Sequence, residues 1–423
     1  MATTDLDSAL NQLSDDVSSL WCPRSVPRLA TPPDAANFCK FVVSSTPVVI
    51  SHAIDNWPAL TKWTLPYLSE HCSNPITVNV TPDGLGDAVK AVVEAGGARL
   101  FVKPEERVMD FSEFSRALEN PATFSGVPYV SLQNDSLRAE FAEVAKDVPC
   151  LQPGAPKEVG LGFATAAFGG SGAEAVNLWV GDDRSVSSCH QDFYENIYCV
   201  LQGTKRFTLF PPSDCAFLNE QPFRSAKHVF RPAEGTEAGV QPIKTEDRRR
   251  DHPKEKDEGG NRGESDRSAG SGGSSDGGWS IEVEGDEHVV NWVDAARADL
   301  FTWKSSAAHA GGLSGGSCGR MIDQSSLASP LVVEVHAGEV LYLPAMWYHQ
   351  VEQCGITVAV NFWHDMNFKG PTFSLLSFIR NLTVAPPSAA AAQAREMAEM
   401  SNSRKQQNEA KASKTVSTAK PDG

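Results

Sequence analysis

Three features are missing from the sequence, and each absence narrows the class of protein. No stretch approaches the roughly 20 consecutive apolar residues that span a bilayer. The N-terminus carries acidic residues where a secretion signal has a basic region followed by an apolar run. No two cysteines form a CxxC pair. We therefore expect no membrane association, and a cytoplasmic location with the nucleus as a second site.

The cysteines that are present stand alone. There are nine, an odd number, scattered along a chain without a secretion signal. Such a distribution is typical of reduced thiols in a reducing compartment. The sequence predicts neither a disulfide framework nor a structural zinc site.

Positive charge is also scarce. The chain has 37 Lys and Arg against 53 Asp and Glu, giving a formal net charge of −16. Nonspecific nucleic-acid binding needs a basic face that displaces counterions, so we expect no direct nucleic-acid contact. The acidic balance is compatible with a Lys- or Arg-bearing protein segment as substrate, although it also serves solubility alone.

Changes in composition divide the chain into five segments. Residues 1–20 have apolar residues near helical spacing, which predicts a short amphipathic helix. Residues 21–232 and 288–383 are the two parts of one folded domain, and the second part ends in a helix. The segment 233–287 is rich in charge, Gly and Ser, which predicts a disordered insertion. The Ala-rich and then polar tail, 384–423, is also expected to be disordered.

Both parts of the domain are expected to be rich in β-strands. Apolar runs bounded by turn residues occupy 174–212 and 331–365. In the first region, two such runs meet at Gln202-Gly203-Thr204, which indicates a hairpin. The helical pattern FSLLSFIRNLTV closes the second part.

A pair of potential metal ligands lies in the first strand-rich region. In His190-Gln191-Asp192, residues two apart in a strand point to the same face, so an imidazole and a carboxylate can share one ion. The pair alone is weak evidence, because a surface strand with two polar residues gives the same pattern. His349 begins an apolar strand in the second region, and alone it fits a core histidine equally well. Together the three residues match the two imidazoles and one carboxylate that suit Fe(II) with open positions.

A lysine on the following strand adds to this pattern. Lys205 stands among the apolar residues Phe207, Leu209 and Phe210. If it points inward, its charge is costly unless an anion accompanies it, and the distal carboxylate of 2-oxoglutarate is a natural partner. If it points outward, it is an ordinary lysine at the exit of a hairpin.

These residues carry a resemblance to a known family. HQDFYENIYCVLQGTKRFTLFPPSD and AGEVLYLPAMWYHQVEQCGITVAVNFW together resemble the JmjC family of oxygenases, over about residues 20–232 and 288–380. The resemblance implies a mainly β fold, with a double-stranded β-helix (jelly-roll, cupin-like) core and flanking α-helices. It also implies Fe(II) as cofactor, with 2-oxoglutarate and O₂ as co-substrates.

The resemblance assigns roles by position. The metal ligands, which are also the catalytic residues, are expected to be His190, Asp192 and His349. Lys205 is expected to bind the distal carboxylate of 2-oxoglutarate. Hydroxyl and amide groups that assist this binding are expected at Tyr129, Ser187, Asn196, Tyr198 and Asn361. A structural hydrogen bond within the barrel is the alternative role for each of these five.

The narrower similarity, to the lysyl hydroxylases of the family, implies a substrate. It suggests hydroxylation at C3 of a lysine in a protein, specifically a developmentally regulated GTP-binding protein of the translation machinery. We expect an acidic residue to receive the lysine ammonium, with Asp83, Glu195 and Asp365 as candidates. The resemblance also implies a homodimer formed through the C-terminal helix, although a buried intramolecular helix has the same pattern.

Other functions remain open on sequence alone. N-methyl-lysine demethylation of histones uses the same iron site, although no zinc-finger cluster accompanies it here. A non-catalytic cupin-like binding module shares the fold but needs none of the four principal residues. A metalloprotease is not favoured, because the HExxH motif is missing.

Overall fold

Strands predominate over helices in the computed structural model. It describes residues 3–151, 161–170, 172–218, 220–232, 278–285, 288–294, 330–369 and 371–383. The strands are β1 (Arg28–Leu29), β2 (Val48–Ile50), β3 (Ile76–Thr81), β4 (Leu85–Gly86), β5 (Ala88–Val92), β6 (Ala98–Lys103), β7 (Glu105–Met109), β8 (Val127–Tyr129), β9 (Ala175–Gly181), β10 (Val186–Gln191), β11 (Tyr194–Phe210), β12 (Glu220–Arg231), β13 (Gly278–Val283), β14 (Val289–Val293), β15 (Leu331–His336), β16 (Val340–Leu343) and β17 (Tyr348–Asp365). The α-helices are α1 (Thr3–Asp16), α2 (Ala35–Val43), α3 (Ala59–Lys62), α4 (Leu65–His71), α5 (Phe111–Glu119), α6 (Ser136–Ala139), α7 (Gly162–Ala167) and α8 (Pro371–Thr383). None of these helices is long and apolar enough to cross a membrane.

The largest sheet is built around two long strands. Its order is β1-β2-β16-β11-β17-β10-β4, with β15 also paired to β11 and β9 also paired to β17. β11 and β17 run antiparallel along nearly their whole length. A second sheet has the order β13-β12-β6-β5 with β14 on β12, and a third has the order β7-β3-β8. The prediction of a mainly β, jelly-roll core with flanking helices is confirmed.

The predicted hairpin at Gln202-Gly203-Thr204 is wrong, because β11 passes through it as one strand. The pairing of β11 with β17 shifts register on both sides of Gln202, as at a β-bulge. Gly203 has φ +73°, and a Cβ there would lie 2.4 Å from the carbonyl oxygen of Ile356. The glycine therefore bends the strand instead of reversing it, and both halves of β11 stay in the same sheet.

The predicted boundary of the insertion, 233–287, is also wrong at its C-terminal end. Residues Gly278–Val283 form β13, which pairs with β12 from Ala226 to Arg231. Trp279 anchors this strand, since its ring packs against Phe230 at 5.4 Å and beneath the guanidinium of Arg107 at 5.1 Å. The rest of the predicted insertion, 233–277, and the predicted tail, 384–423, lie outside the described residues.

The two terminal helices pack on one side of the barrel. The predicted N-terminal helix is present as α1, which continues into a π-helical turn at Val17–Trp21. Leu10 of α1 and Ile379 of α8 contact one apolar cluster that includes Phe210 and Tyr348. This cluster places both helices beside the ends of β11 and β17, which carry the residues described next.

Candidate active site

The two histidines predicted as metal ligands lie directly opposite each other. His190 on β10 is the pairing partner of His349 on β17, and the centroids of the two rings are 4.3 Å apart. The pairing of β10 with β17 shifts register between Ser187 and His190, so a bulge precedes the first ligand. Bulges often re-aim side chains next to active sites. Strand pairing thus brings together two residues that are far apart in sequence.

Asp192 completes the cluster from the loop that follows β10. Its carboxylate oxygen Oδ2 lies 3.8 Å from Nε2 of His190 and 3.6 Å from Nε2 of His349. The ligand atoms of all three residues lie within 4.8 Å of one another. The backbone oxygen of Asp192 accepts a hydrogen bond of 2.7 Å from the amide of Met346, which ties this loop to the turn before β17.

Backbone hydrogen bonds orient both imidazoles. Nδ1 of His190 lies 2.6 Å from the carbonyl oxygen of Ser188, and Nδ1 of His349 lies 2.9 Å from that of Trp347. A carbonyl oxygen only accepts, so Nδ1 carries the proton and Nε2 presents its lone pair to the cluster. Burial lowers the pKa of His349 to about 4, and the neighbouring His190 adds to this effect. The donor set, two neutral imidazole nitrogens and one carboxylate, therefore fits Fe(II).

Lys205 is the most deeply buried charged residue of the site. Its side chain has 0% exposure, and its Nζ donates hydrogen bonds to Oε1 of Gln353 and, at 3.2 Å, to the hydroxyl of Tyr129. Both partners are neutral. Burial accordingly lowers the pKa of Lys205 to about 7. An inward lysine without a carboxylate partner among the described residues suits an anionic ligand.

The predicted hydroxyl groups surround this lysine. The Nζ of Lys205 lies 5.4 Å from the ring centre of Tyr129 and 5.8 Å from that of Tyr198. The hydroxyl of Tyr129 is hydrogen-bonded by Ser187 and Gln353. Ser187 and Tyr198 also line the inner pocket, which contains the metal cluster. The structure thus brings these three residues close together, and their part in binding 2-oxoglutarate stays a prediction.

The two predicted asparagines line the same pocket. Asn361 accepts hydrogen bonds from Nε1 of Trp179 at 2.9 Å and from Nδ2 of Asn177 at 3.2 Å. Its own amide nitrogen donates to Asn196 at 3.3 Å. Both asparagines line the pocket that also contains the metal cluster. These hydrogen bonds give both asparagines a structural role. Because both also line the pocket, they can contact a ligand there as well.

Three further residues at the site were missed by reasoning from sequence. Gln353 hydrogen-bonds Lys205 because the two positions are paired across β11 and β17. Trp292 stacks on His190, with ring centroids 5.5 Å apart and an interplanar angle of 5°. Gln133 lines both the inner pocket and a second, larger cavity that is described next. The register of distant strands places these side chains, and no local motif marks them.

A second cavity opens from the metal cluster and has a volume of about 230 Å³. This outer cavity is lined by His190 and Asp192 and, further out, by residues that include Asp87, Gln133 and Trp292. The three acidic residues predicted to receive a lysine do not line it. Glu195 accepts hydrogen bonds from the Tyr342 hydroxyl at 2.7 Å and the Ala345 amide at 3.3 Å, and burial raises its pKa. Asp83 is bound to Lys90 at 2.8 Å.

Fold and site together define a metal-dependent oxygenase of the jelly-roll type. A family model described as a cupin-like domain matches residues 34–370. The "Bifunctional peptidase and (3S)-lysyl hydroxylase JMJD7" of Homo sapiens is 31% identical over 382 residues, covering 89% of this chain and 96% of that protein. The "JmjC domain-containing protein E" of Dictyostelium discoideum is 28% identical over 397 residues, covering 90% of this chain and 94% of that protein.

A third relative is named for a different activity. The "Lysine-specific demethylase JMJ32" of Arabidopsis thaliana is 30% identical over 388 residues, covering 88% of this chain and 91% of that protein. The chain belongs to the cupin-like JmjC family of Fe(II)- and 2-oxoglutarate-dependent oxygenases.

Proposed function

We propose that this protein is an Fe(II)- and 2-oxoglutarate-dependent protein hydroxylase that acts at C3 of a lysine. The main support is the cluster of His190, Asp192 and His349 together with the buried Lys205, which has no carboxylate partner among the described residues. The Nζ of Lys205 lies 5.8 Å from the ring centre of Tyr198, and Tyr198 lines one pocket with the three ligands. The lysyl hydroxylase activity itself is suggested by the human relative, which is named for that activity and matches nearly the whole chain.

Each part of the site has a task in this reaction. His190, Asp192 and His349 would hold Fe(II), and Lys205 with Tyr129 would bind the distal carboxylate of 2-oxoglutarate. When bound, the metal and co-substrate supply O₂ activation, with transfer of one oxygen atom to a substrate C–H bond and release of succinate and CO₂.

The protein's own contribution is orientation and exclusion of water. Fixing both ends of a chelating co-substrate leaves it one geometry, which lowers the entropic cost of the reaction. The apolar side chains of Phe207 and Val351 line the inner pocket and are 0% and 5% exposed. A reactive centre in such surroundings is shielded from bulk water.

Demethylation of N-methyl-lysine is the second candidate, and the Arabidopsis relative favours it. The two reactions share the metal site and differ in the carbon that is oxidised. Mass spectrometry after incubation with Fe(II), 2-oxoglutarate and lysine or methyl-lysine peptides separates them. Gain of one oxygen atom on an unmodified lysine supports hydroxylation, whereas loss of a methylene group from methyl-lysine supports demethylation.

A non-catalytic cupin-like binding module is the third candidate. It has no need to keep His190, Asp192, His349 and Lys205 in one site. If Fe(II) and candidate peptides give no succinate above a His190→Ala control, the oxygenase proposal fails and the binding module gains support.

The partners follow from the same proposal. We infer a lysine-bearing protein segment as substrate, and a developmentally regulated GTP-binding protein is the first candidate to assay. A cytoplasmic location, with the nucleus as a second site, is consistent with such a substrate.

We also propose a homodimer through α8, whose apolar residues Leu375, Phe378 and Leu382 are 62%, 60% and 48% exposed.

A further inference from the structure

The outer cavity has an unbalanced charge. Its lining includes the carboxylates Asp87 and Asp192 but, among the described residues, no Lys or Arg. Asp192 belongs to the metal cluster, where the charge of an ion would offset its own. The charge of Asp87 is therefore left without a resident partner in this cavity.

Two lysines on the neighbouring strands β5 and β6 are engaged with other carboxylates. Lys103, whose charge reaches Asp87, forms an ion pair of 2.6 Å with Glu284. Lys90 forms an ion pair of 2.8 Å with Asp83. Within the part of the chain that the structure describes, no hydrogen bond or ion pair reaches the Asp87 carboxylate. Burial accordingly raises its pKa, although the charges of His190 and Lys103 oppose this.

The backbone around Asp87 is held against the metal-bearing strand. Leu85 and Gly86 of β4 pair in parallel with Val186 and Ser187 of β10. The Asp87 carbonyl then accepts a hydrogen bond from the Ser188 hydroxyl. Asp87 itself has φ +52°, a left-handed conformation that is strained for a residue other than glycine. A strained backbone persists only where the surrounding contacts hold it in place. Here these contacts hold Asp87 in the lining of the cavity.

An aromatic ring lies on the same wall. Trp292 lines the cavity, stacks on His190 and donates a hydrogen bond of 2.9 Å from Nε1 to the hydroxyl of Ser188. Ser188 therefore contacts both Trp292 and the backbone of Asp87. The flat ring offers apolar surface for the methylenes of a long side chain, while the carboxylate offers a partner for a charge at its end.

We propose that Asp87 is the specificity residue that receives the positively charged end of the substrate side chain, with Trp292 packing along its methylenes. This inference rests on the proposed function for the identity of the side chain, a lysine. It is independent of the choice between hydroxylation and demethylation, because methylated lysine also carries a positive charge.

Binding of defined peptides to the Mn(II)- and 2-oxoglutarate-loaded full chain tests the proposal. Mn(II) fills the metal site without turnover. The probes are fluorescein-labelled pentapeptide libraries with randomised flanks and a fixed centre, either lysine or norleucine, its uncharged analogue. Fluorescence anisotropy gives an affinity for each library, and metal content and melting temperature show that each variant is folded and loaded.

The variants separate a direct contact from a general charge effect. Asp87→Asn removes the proposed partner, and Asp87→Glu restores its charge. Glu106→Gln is the matched control, because Glu106 is exposed, does not line the cavity and yet contributes to the negative potential at Asp87. A charge-assisted hydrogen bond is worth roughly 1.5–3 kcal/mol, or about 10- to 150-fold in affinity.

We expect wild type and Glu106→Gln to bind the lysine library at least about tenfold more tightly than the norleucine library. In Asp87→Asn this preference should disappear, and Asp87→Glu should recover part of it. Equal binding of the two libraries by wild type, or a preference that survives in Asp87→Asn, overturns the proposal. If the preference depends on Asp87 but the Fe(II)-loaded enzyme oxidises no lysine, the proposed function fails while this inference stands.

Discussion

Lys205 and Gln353 face each other across β11 and β17, and their side chains form a buried hydrogen bond between a cation and a neutral amide. Gln353 is in turn held by Ser185, whose carbonyl oxygen accepts a bond of 2.7 Å from its Nε2. The amide therefore fixes the lysine in position without neutralising it. A buried charge that is not neutralised favours an anionic ligand such as a carboxylate.

Replacing Lys205 by Met should weaken 2-oxoglutarate binding about 10- to 150-fold, the value of a charge-assisted hydrogen bond. The measurement is the KM for 2-oxoglutarate in a succinate-release assay. Metal content should stay at the wild-type level, because Lys205 is not a ligand of the cluster. The control is Arg206→Met, since Arg206 is exposed and binds Glu334 at 3.0 Å. An unchanged KM in Lys205→Met would show that the carboxylate binds elsewhere.

The affinity for 2-oxoglutarate should also depend on pH. Burial lowers the pKa of Lys205 to about 7, so the ammonium is present below that pH and is lost above it. Only the charged form attracts the carboxylate. The KM should therefore be nearly constant below pH 7 and rise above it, by up to about tenfold per pH unit. Lys205→Met should not show this rise, and a wild-type KM that stays flat from pH 6.5 to 9 would contradict the assignment.

The loop that carries Asp87 should be intolerant of a side chain at Gly84. Gly84 has φ +83°, and a Cβ there would lie 1.8 Å from the carbonyl oxygen of Arg184. Gly84→Ala combines this clash with the left-handed strain and should cost about 3 kcal/mol or more in unfolding free energy. Gly96→Ala is the control, because Gly96 has φ +68° but open space around it. It should cost only about 1–2 kcal/mol, and equal costs in chemical denaturation would disprove the close approach.

The homodimer proposal makes a prediction about α8. Leu375 and Phe378 are mostly exposed, whereas Ile379 packs on the apolar cluster that includes Phe210 and Tyr348. The double variant Leu375→Asp/Phe378→Asp should give a monomer mass in light scattering, because it places charge in the proposed interface. The control is Val43→Asp, which places the same charge at an exposed apolar residue of α2 and should leave the dimer mass unchanged. A wild-type monomer, or a double variant that remains a dimer, would contradict this interface.

The sequence predicted the residues that carry the chemistry of the site better than it predicted the residues that surround them. His190, Asp192, His349 and Lys205 could be identified because their combination resembles the site of one family, although each of them alone has an ordinary structural explanation. The residues that contact these four are placed by the register between strands that are far apart in the chain. Lys205 and Gln353 are 148 positions apart, and only the pairing of β11 with β17 brings them together.

The errors in the fold predictions have local causes. Gly203 matches a hairpin signal and a bulge equally well, because both use a glycine with positive φ. Residues 278–283 follow a long Gly- and Ser-rich stretch, so composition averaged over the segment hid the strand at Trp279. That strand and β14, which carries Trp292, both pair with β12, and Trp292 reaches the cavity.

Coupled turnover of 2-oxoglutarate and a lysine peptide is the sharpest test of the proposed activity. The wild-type chain is incubated with Fe(II), 2-oxoglutarate, O₂ and peptides from candidate GTP-binding proteins, each with a central lysine, beside the His190→Ala variant. Succinate release and peptide mass are followed together. We expect that wild type alone releases succinate in step with the gain of one oxygen atom on the lysine. Equal succinate release by His190→Ala, or none above background from wild type, would contradict the proposal.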